Sequence, residues 1–187
     1  MRGFLKVFGI ILGILLLAVL VFAIINIKSV MLFFGMGRIE VKGYDTVVTS
    51  LQESGSFTDI QVTYKEDLEI ITCASIDGVV NYVIEGKRGE VVQKIEAKIN
   101  AKSLKDKDID YTDVNAVTEQ AKEYISPIIA EDQVLGLTGY VAKEAYAQYN
   151  QGQKEIVIEK DFGGIKVSVQ GDTATGELII RLDTSGT

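Results

Sequence analysis

Asp106, Asp108 and Asp110, in the run DKDIDYTD, are spaced like the first three odd-numbered ligands of a calcium loop. Such a loop also needs a glycine at its sixth position and a bidentate glutamate at its twelfth. Tyr111 and Val117 stand there instead, and Lys105 and Lys107 offset part of the charge. The run reads better as a solvated linker that places negative charge at the start of a following helix. Cys73 is the chain's single thiol. In LEIITCA it behaves as a small buried hydrophobe, and no basic cluster nearby would favour its thiolate. The absence of His removes Ser-His-Asp and Cys-His pairs, together with His-ligated zinc and iron sites. There is no Ser-x-x-Lys and no G-x-x-x-x-G-K, and GMGRIE lacks the third glycine of a dinucleotide fingerprint. In LDTSGT the glycine comes one place too late for the Asp-Thr-Gly of an aspartic protease. What remains is carboxylate chemistry, whose geometry depends on which strands are neighbours. The residues therefore assign no catalytic group, no metal ligand and no cofactor.

The side chains suited to contact rather than reaction are aromatic. Phe33 and Phe34 lie in SVMLFFGMG, residues 29–37, and Tyr140 and Tyr146 lie in a helical pattern. These four are the candidate partner contacts. Tyr149 shares the inward stripe of that helix with Val134, Leu137, Val141 and Ala145, so it is expected to pack on a sheet.

Several elements must position these residues. YDTVVTSLQES reads as a short helix ending at Gly55. Ile60, Val62 and Tyr64 alternate with polar residues, and LEIITCA and GVVNYVIEG follow as strands bounded by turn residues. EGKRGE reads as a hairpin connection, after which Val91, Ile95, Ala97 and Ile99 face one side and Val92, Lys94, Glu96 and Lys98 the other. Val114, Val117, Ala121, Tyr124 or Ile125, and Ile128 share a helical face that starts near Thr112 or Asp113 and meets Pro127. A second helix runs from about Asp132 to Tyr149. KEIVIEK, GIKVSVQ and GELIIRLD close the pattern as antiparallel strands on short loops. Gly43-Tyr44, a helix, Gly55 and a hairpin are echoed 96 to 97 residues later by Gly139-Tyr140, a helix, Gly152 and a hairpin.

Val7 to Ile27 is 21 residues without a charge, roughly 30 Å as a helix and long enough for a bilayer core. The only small-residue cleavage site, Val21-Phe22-Ala23, is followed by more apolar residues, so retention is favoured over removal. Arg2 and Lys6 precede the run; Lys28, Arg38 and Lys42 follow it, so the count of cations gives no clean orientation. A six-residue basic tail is the usual start of a signal anchor with its N-terminus inside. The expected organisation is a cytoplasmic tail 1–6, a transmembrane signal anchor 7–28, a juxtamembrane segment 29–42 and an extracytoplasmic domain 43–187. That domain is one unit or two smaller ones, 43–105 and 106–187. The fold class expected is α+β: one N-terminal transmembrane helix, then antiparallel sheet packed with two to three helices. The plan of helices followed by hairpins on a membrane tether is similar to that of the small PepSY-type modules of bacterial envelopes, and no residue role is carried over from it.

From Arg38 onward the chain holds 16 basic and 26 acidic residues, a net charge of −10. Such a domain repels nucleic acid, so the partners expected are the bilayer and another envelope or membrane protein. The expected function is a single-pass, membrane-anchored binding or accessory module outside the cytoplasm, acting through protein–protein contacts without catalysis. The alternatives are a carboxylate-dependent envelope hydrolase of glycan or peptide, or a secreted inhibitor released by cleavage.

Overall fold

Alternating apolar and polar residues recur through seven segments, and each becomes a strand of one antiparallel sheet. The computed structural model describes residues 27–100, 122–172 and 177–185. The elements in order are α1 (Ile27–Phe33), α2 (Tyr44–Glu53), β1 (Phe57–Lys65), β2 (Leu68–Ser75), β3 (Val80–Gly86), β4 (Lys94–Asn100), α3 (Glu131–Asn150), β5 (Glu155–Phe162), β6 (Ile165–Asp172) and β7 (Glu177–Asp183). The strand order is β1-β2-β3-β4-β7-β6-β5. Two meanders, β1 to β4 and β5 to β7, thus meet at the β4–β7 pair. The α+β class with an antiparallel sheet is the architecture of the chain.

Directly opposed residues in an antiparallel pair lie on the same face, so the register separates the two surfaces. On one face Ile71, Ile84, Ile95, Leu182 and Val167 form a row, and Cys73, Tyr82, Ala97, Ile180, Val169 and Ile158 form the next. The helices cover this face with Tyr44, Val47 and Leu51 of α2 and Val134, Leu137 and Tyr140 of α3, all in one core. The opposite face carries the polar members of each strand. Val141 and Ala145 pack partly against the core, in line with the inward stripe expected of α3. Tyr149 and Tyr146 lie on α3 by position, and their side chains are outside the described residues.

Two local expectations are corrected. Gly86 to Gly89 is not a tight hairpin: the connection runs on to Lys94, and Val91 makes an isolated bridge with Gly43. Val91 is exposed and Val92 fully buried, the reverse of the expected facing, because the strand alternation starts only at Lys94. The helix expected from Thr112 and the Asp106–Asp110 run fall mostly or wholly outside the described residues. Within them, 122–125 are helical and turn at Pro127, with Tyr124 and Ile128 buried.

Among the described residues no helix is long and apolar enough to cross a membrane. The apolar run of residues 7–26 lies outside them, and Ile27 opens α1.

Candidate functional site

The segment after the apolar run does not hang free. α1 crosses α3 at Gly136, where a Cβ would collide with the carbonyl oxygen of Ser29 and lie 2.7 Å from its Cα. Only a glycine lets the two backbones come so close. Leu32 is buried beside this crossing, and Phe33 lies over Gly139. The chain then turns at Gly35, at φ +72°, where a Cβ would meet the Tyr140 ring at 2.9 Å. Residues 38–42 are held by the buried Gln133, whose amide accepts from the Glu40 N–H at 2.7 Å and donates to the Arg38 carbonyl at 3.0 Å. Lys42 N–H donates to the Ile128 carbonyl and Ala130 N–H to that of Glu40. Ile39 is fully buried as a result. Residues 27–42 are therefore built into the domain.

This docking brings together three of the four aromatic residues singled out by sequence. Phe33 and Phe34 meet edge to face, with ring centroids 5.4 Å apart. The ammonium of Lys143 lies 5.5 Å from the Phe33 ring centre and 5.2 Å from that of Tyr140, within cation–π range. Tyr140 in turn meets Phe162 of β5 edge to face at 5.3 Å. Tyr140 is 8% exposed and Phe34 61%. Tyr140 thus supports the cluster from beneath, and Phe34 presents its ring outward. Burial, and then the nearby Glu144, push the Tyr140 phenol above its usual range. Nothing in composition or spacing singles out Gln133, an unremarkable polar residue in a helical pattern, or Gly136, whose partner lies more than a hundred residues away.

The second surface is the uncovered face of the sheet. Charge alternates along one row, is mixed along the next, and is acidic in a third, where Glu177, Asp172 and Glu155 lie side by side. Glu85, Lys94, Asp183, Lys166 and Asp161 form one row, and Glu96, Arg181, Ser168 and Glu159 the next. These residues line an open concavity of about 700 Å³. Arg181 donates to Glu96 at 2.7 Å and to Gln170 at 2.9 Å. The side chain and backbone N–H of Ser185 hold the Asp183 carboxyl below the usual carboxylate range, with help from Lys94 and Lys166. Glu96 and Glu159 are three strands apart, about 14 Å, wider than the roughly 5–9.5 Å between paired glycosidase carboxylates. The closest same-face acids are Glu155, Asp172 and Glu177, directly opposed across β5, β6 and β7 with Cβ atoms about 4.5–5.5 Å apart. Among the described residues no three His, Cys, Asp or Glu side chains are grouped to hold a metal ion.

No family model, no curated protein and no solved structure matches this chain.

Cys73 is buried, and desolvation pushes its thiol up to about 11. A group so placed is a poor nucleophile at neutral pH.

Proposed function

We propose that the chain is a membrane-anchored binding or accessory module that works outside the cytoplasm, through contacts with a neighbouring envelope or membrane protein and without catalysis. The apolar run 7–27 is the transmembrane signal anchor of this reading, and the open sheet face is the partner-facing surface. The observation that carries it is the charge register of one row of that face, Glu85, Lys94, Asp183, Lys166 and Asp161, which sets acid beside base over five strands. Alternating fixed charge gives a surface orientation and selectivity toward a complementary protein. A tether supports the same reading, because confinement to one membrane raises effective concentration enough for a modest interface.

The test uses photo-crosslinking residues placed singly at Lys98 and Gln170 on the open face, and at Gln52 on α2, in the full chain in its membranes. Adducts with one membrane or envelope protein from the open-face positions, weakened by Arg181→Glu, are the expected result. The carboxylate hydrolase reading rests on Asp172 between Glu155 and Glu177. Turnover of a glycan or peptide by the purified full chain, abolished by Asp172→Asn or Glu177→Gln with the fold intact, would replace the binding module with an enzyme.

A further inference from the structure

Ten large hydrophobic side chains are exposed among the described residues, and five of them, Ile27, Met31, Phe33, Phe34 and Met36, fall within ten consecutive positions. The other five are scattered over β1, two turns and β5. The clustering follows from the way α1 is used. Its Ser29 and Leu32 are spent on the domain interior. Ile27, Met31 and Phe34, at i, i+4 and i+7, form a stripe on the outward side. A short helix with one apolar face in the core and a second apolar face outside it needs a second apolar phase to cover it.

The chain itself indicates which phase that is. The stripe starts at the last residue of the uncharged run, and that run has the length of a hydrocarbon core. A residue at the end of such a span sits at the boundary of acyl chains and headgroups. Charge agrees with this placement. The domain is acidic as a whole, yet no acid precedes Glu40, and the stripe is accompanied by Lys28, Arg38, Lys143 on Phe33, and the Lys160 stem beside Gly35. The acids beside these cations are paired with them: Glu40 with Lys28 at 2.7 Å and Glu144 with Lys143 at 3.1 Å, with Asp132 4.0 Å from Lys28. A partner protein or a second copy would face the same stripe, but neither explains why it begins where the apolar run stops.

We propose that Ile27, Met31 and Phe34 seat the domain on the bilayer surface, at the headgroup–acyl boundary, so that the α1 side of α3 faces the membrane. Because α1 is locked to α3 at Gly136 and residues 38–42 are clamped by Gln133, the seat fixes the orientation of the whole domain. It is not a flexible stalk. This rests on the anchor reading above and adds the face, the depth and the rigidity.

The chain contains no Trp, so single tryptophans report unambiguously. Full-length Phe34→Trp and Met31→Trp are reconstituted into vesicles of phosphatidylcholine with a minority of phosphatidylglycerol, beside Tyr64→Trp on the far edge strand as the water-exposed reference. All three positions are exposed, so the fold tolerates the probes, and circular dichroism checks it. Lipids brominated near the headgroup end should quench Phe34→Trp and Met31→Trp several-fold more than Tyr64→Trp, and aqueous acrylamide should rank them in the opposite order. Acrylamide quenching of Phe34→Trp and Met31→Trp equal to that of Tyr64→Trp overturns the seat. Shielding from both quenchers overturns it as well, since protein then covers the stripe. Flotation separates the two readings. A chain that fails to float with the vesicles removes the anchor and the seat together, and one that floats with its stripe in water removes the seat alone.

Discussion

Gly136 shows what a single hydrogen in place of a methyl group can decide. The Ser29 backbone occupies the space a Cβ would need, and backbone on both sides cannot step aside as a flexible side chain can. Gly136→Ala should therefore cost about 1–3 kcal/mol, the usual range for overpacking, read as a lower denaturant midpoint. Its particular sign is earlier exposure of Leu32 and Ile39 to hydrogen exchange than of the sheet. Cys73 gives a second residue-level prediction. Its raised pKa means the folded state holds the proton more tightly than the unfolded state does. The corresponding stability is complete below about pH 9, the unfolded value, and is lost as pH rises toward about 11. Alkylation of the native protein at pH 8 should be slow and should become fast in denaturant; rapid native labelling would show an accessible thiolate instead. Asp183 titrates with the opposite sign. Its carboxyl is held below the normal range by Ser185, so its contribution is present above the usual carboxylate pKa and fades as pH falls below it. Asp183→Asn should flatten that acid limb of the stability profile.

The elements differ in how openly the sequence announces them. The strands were legible because period-two alternation survives wherever one face is covered and the other wet, as in Ile165, Val167 and Val169 of β6. The facing of Val91 and Val92 was not, since an isolated bridge to Gly43 interrupts the alternation with no mark in composition. The docking of α1 was hidden for a different reason: Leu32 and Phe34 belong to one apolar run, and hydropathy does not distinguish a side chain bound for the core from one bound for a membrane. Gln148 was equally silent. Its amide donates to the Val157 carbonyl at 2.7 Å and accepts from the Val157 N–H at 2.9 Å, occupying the outer edge of β5 as a neighbouring strand would. An open edge invites pairing with another chain. Gln148→Ala should cost about 1 kcal/mol for the exchanged hydrogen bonds and should raise concentration-dependent self-association. Analytical ultracentrifugation of the detergent-solubilised chain checks it, with unchanged association showing that the cap is structural only.

At the scale of the molecule the sheet has an approximate twofold plan, with β2-β3-β4 on one side of the seam, β7-β6-β5 on the other, and β1 added at one edge. The sequence echo at 96 to 97 residues is one strand out of step with this plan, since it matches β1 with β5 while the seam matches β2 with β5. Gly55 and Gly152 each follow a helix and precede a hairpin with positive φ, 65° and 78°. The paired Gly-Tyr steps do not correspond, because Gly43 lies before α2 while Gly139 lies inside α3. What joins the halves is the β4–β7 ladder. On its covered face Ile95 opposes Leu182, Ala97 opposes Ile180 and Ile99 opposes Leu178, and on its open face Glu96 opposes Arg181. The buried members of both meanders belong to one hydrophobic cluster. A shared core makes loss of one half expose the other, so the two units 43–105 and 106–187 should unfold together rather than in turn. Leu182→Ala removes a buried side chain at the seam and should cost about 2–5 kcal/mol. Hydrogen exchange should show that loss equally in β2 and β3 and in β5 and β6, with one transition in denaturant. If the amides of β2 and β3 kept their original protection while those of β5 and β6 lost it, the seam would be a boundary between two domains, and the rigid seat on the membrane would orient only the half that α1 and α3 hold.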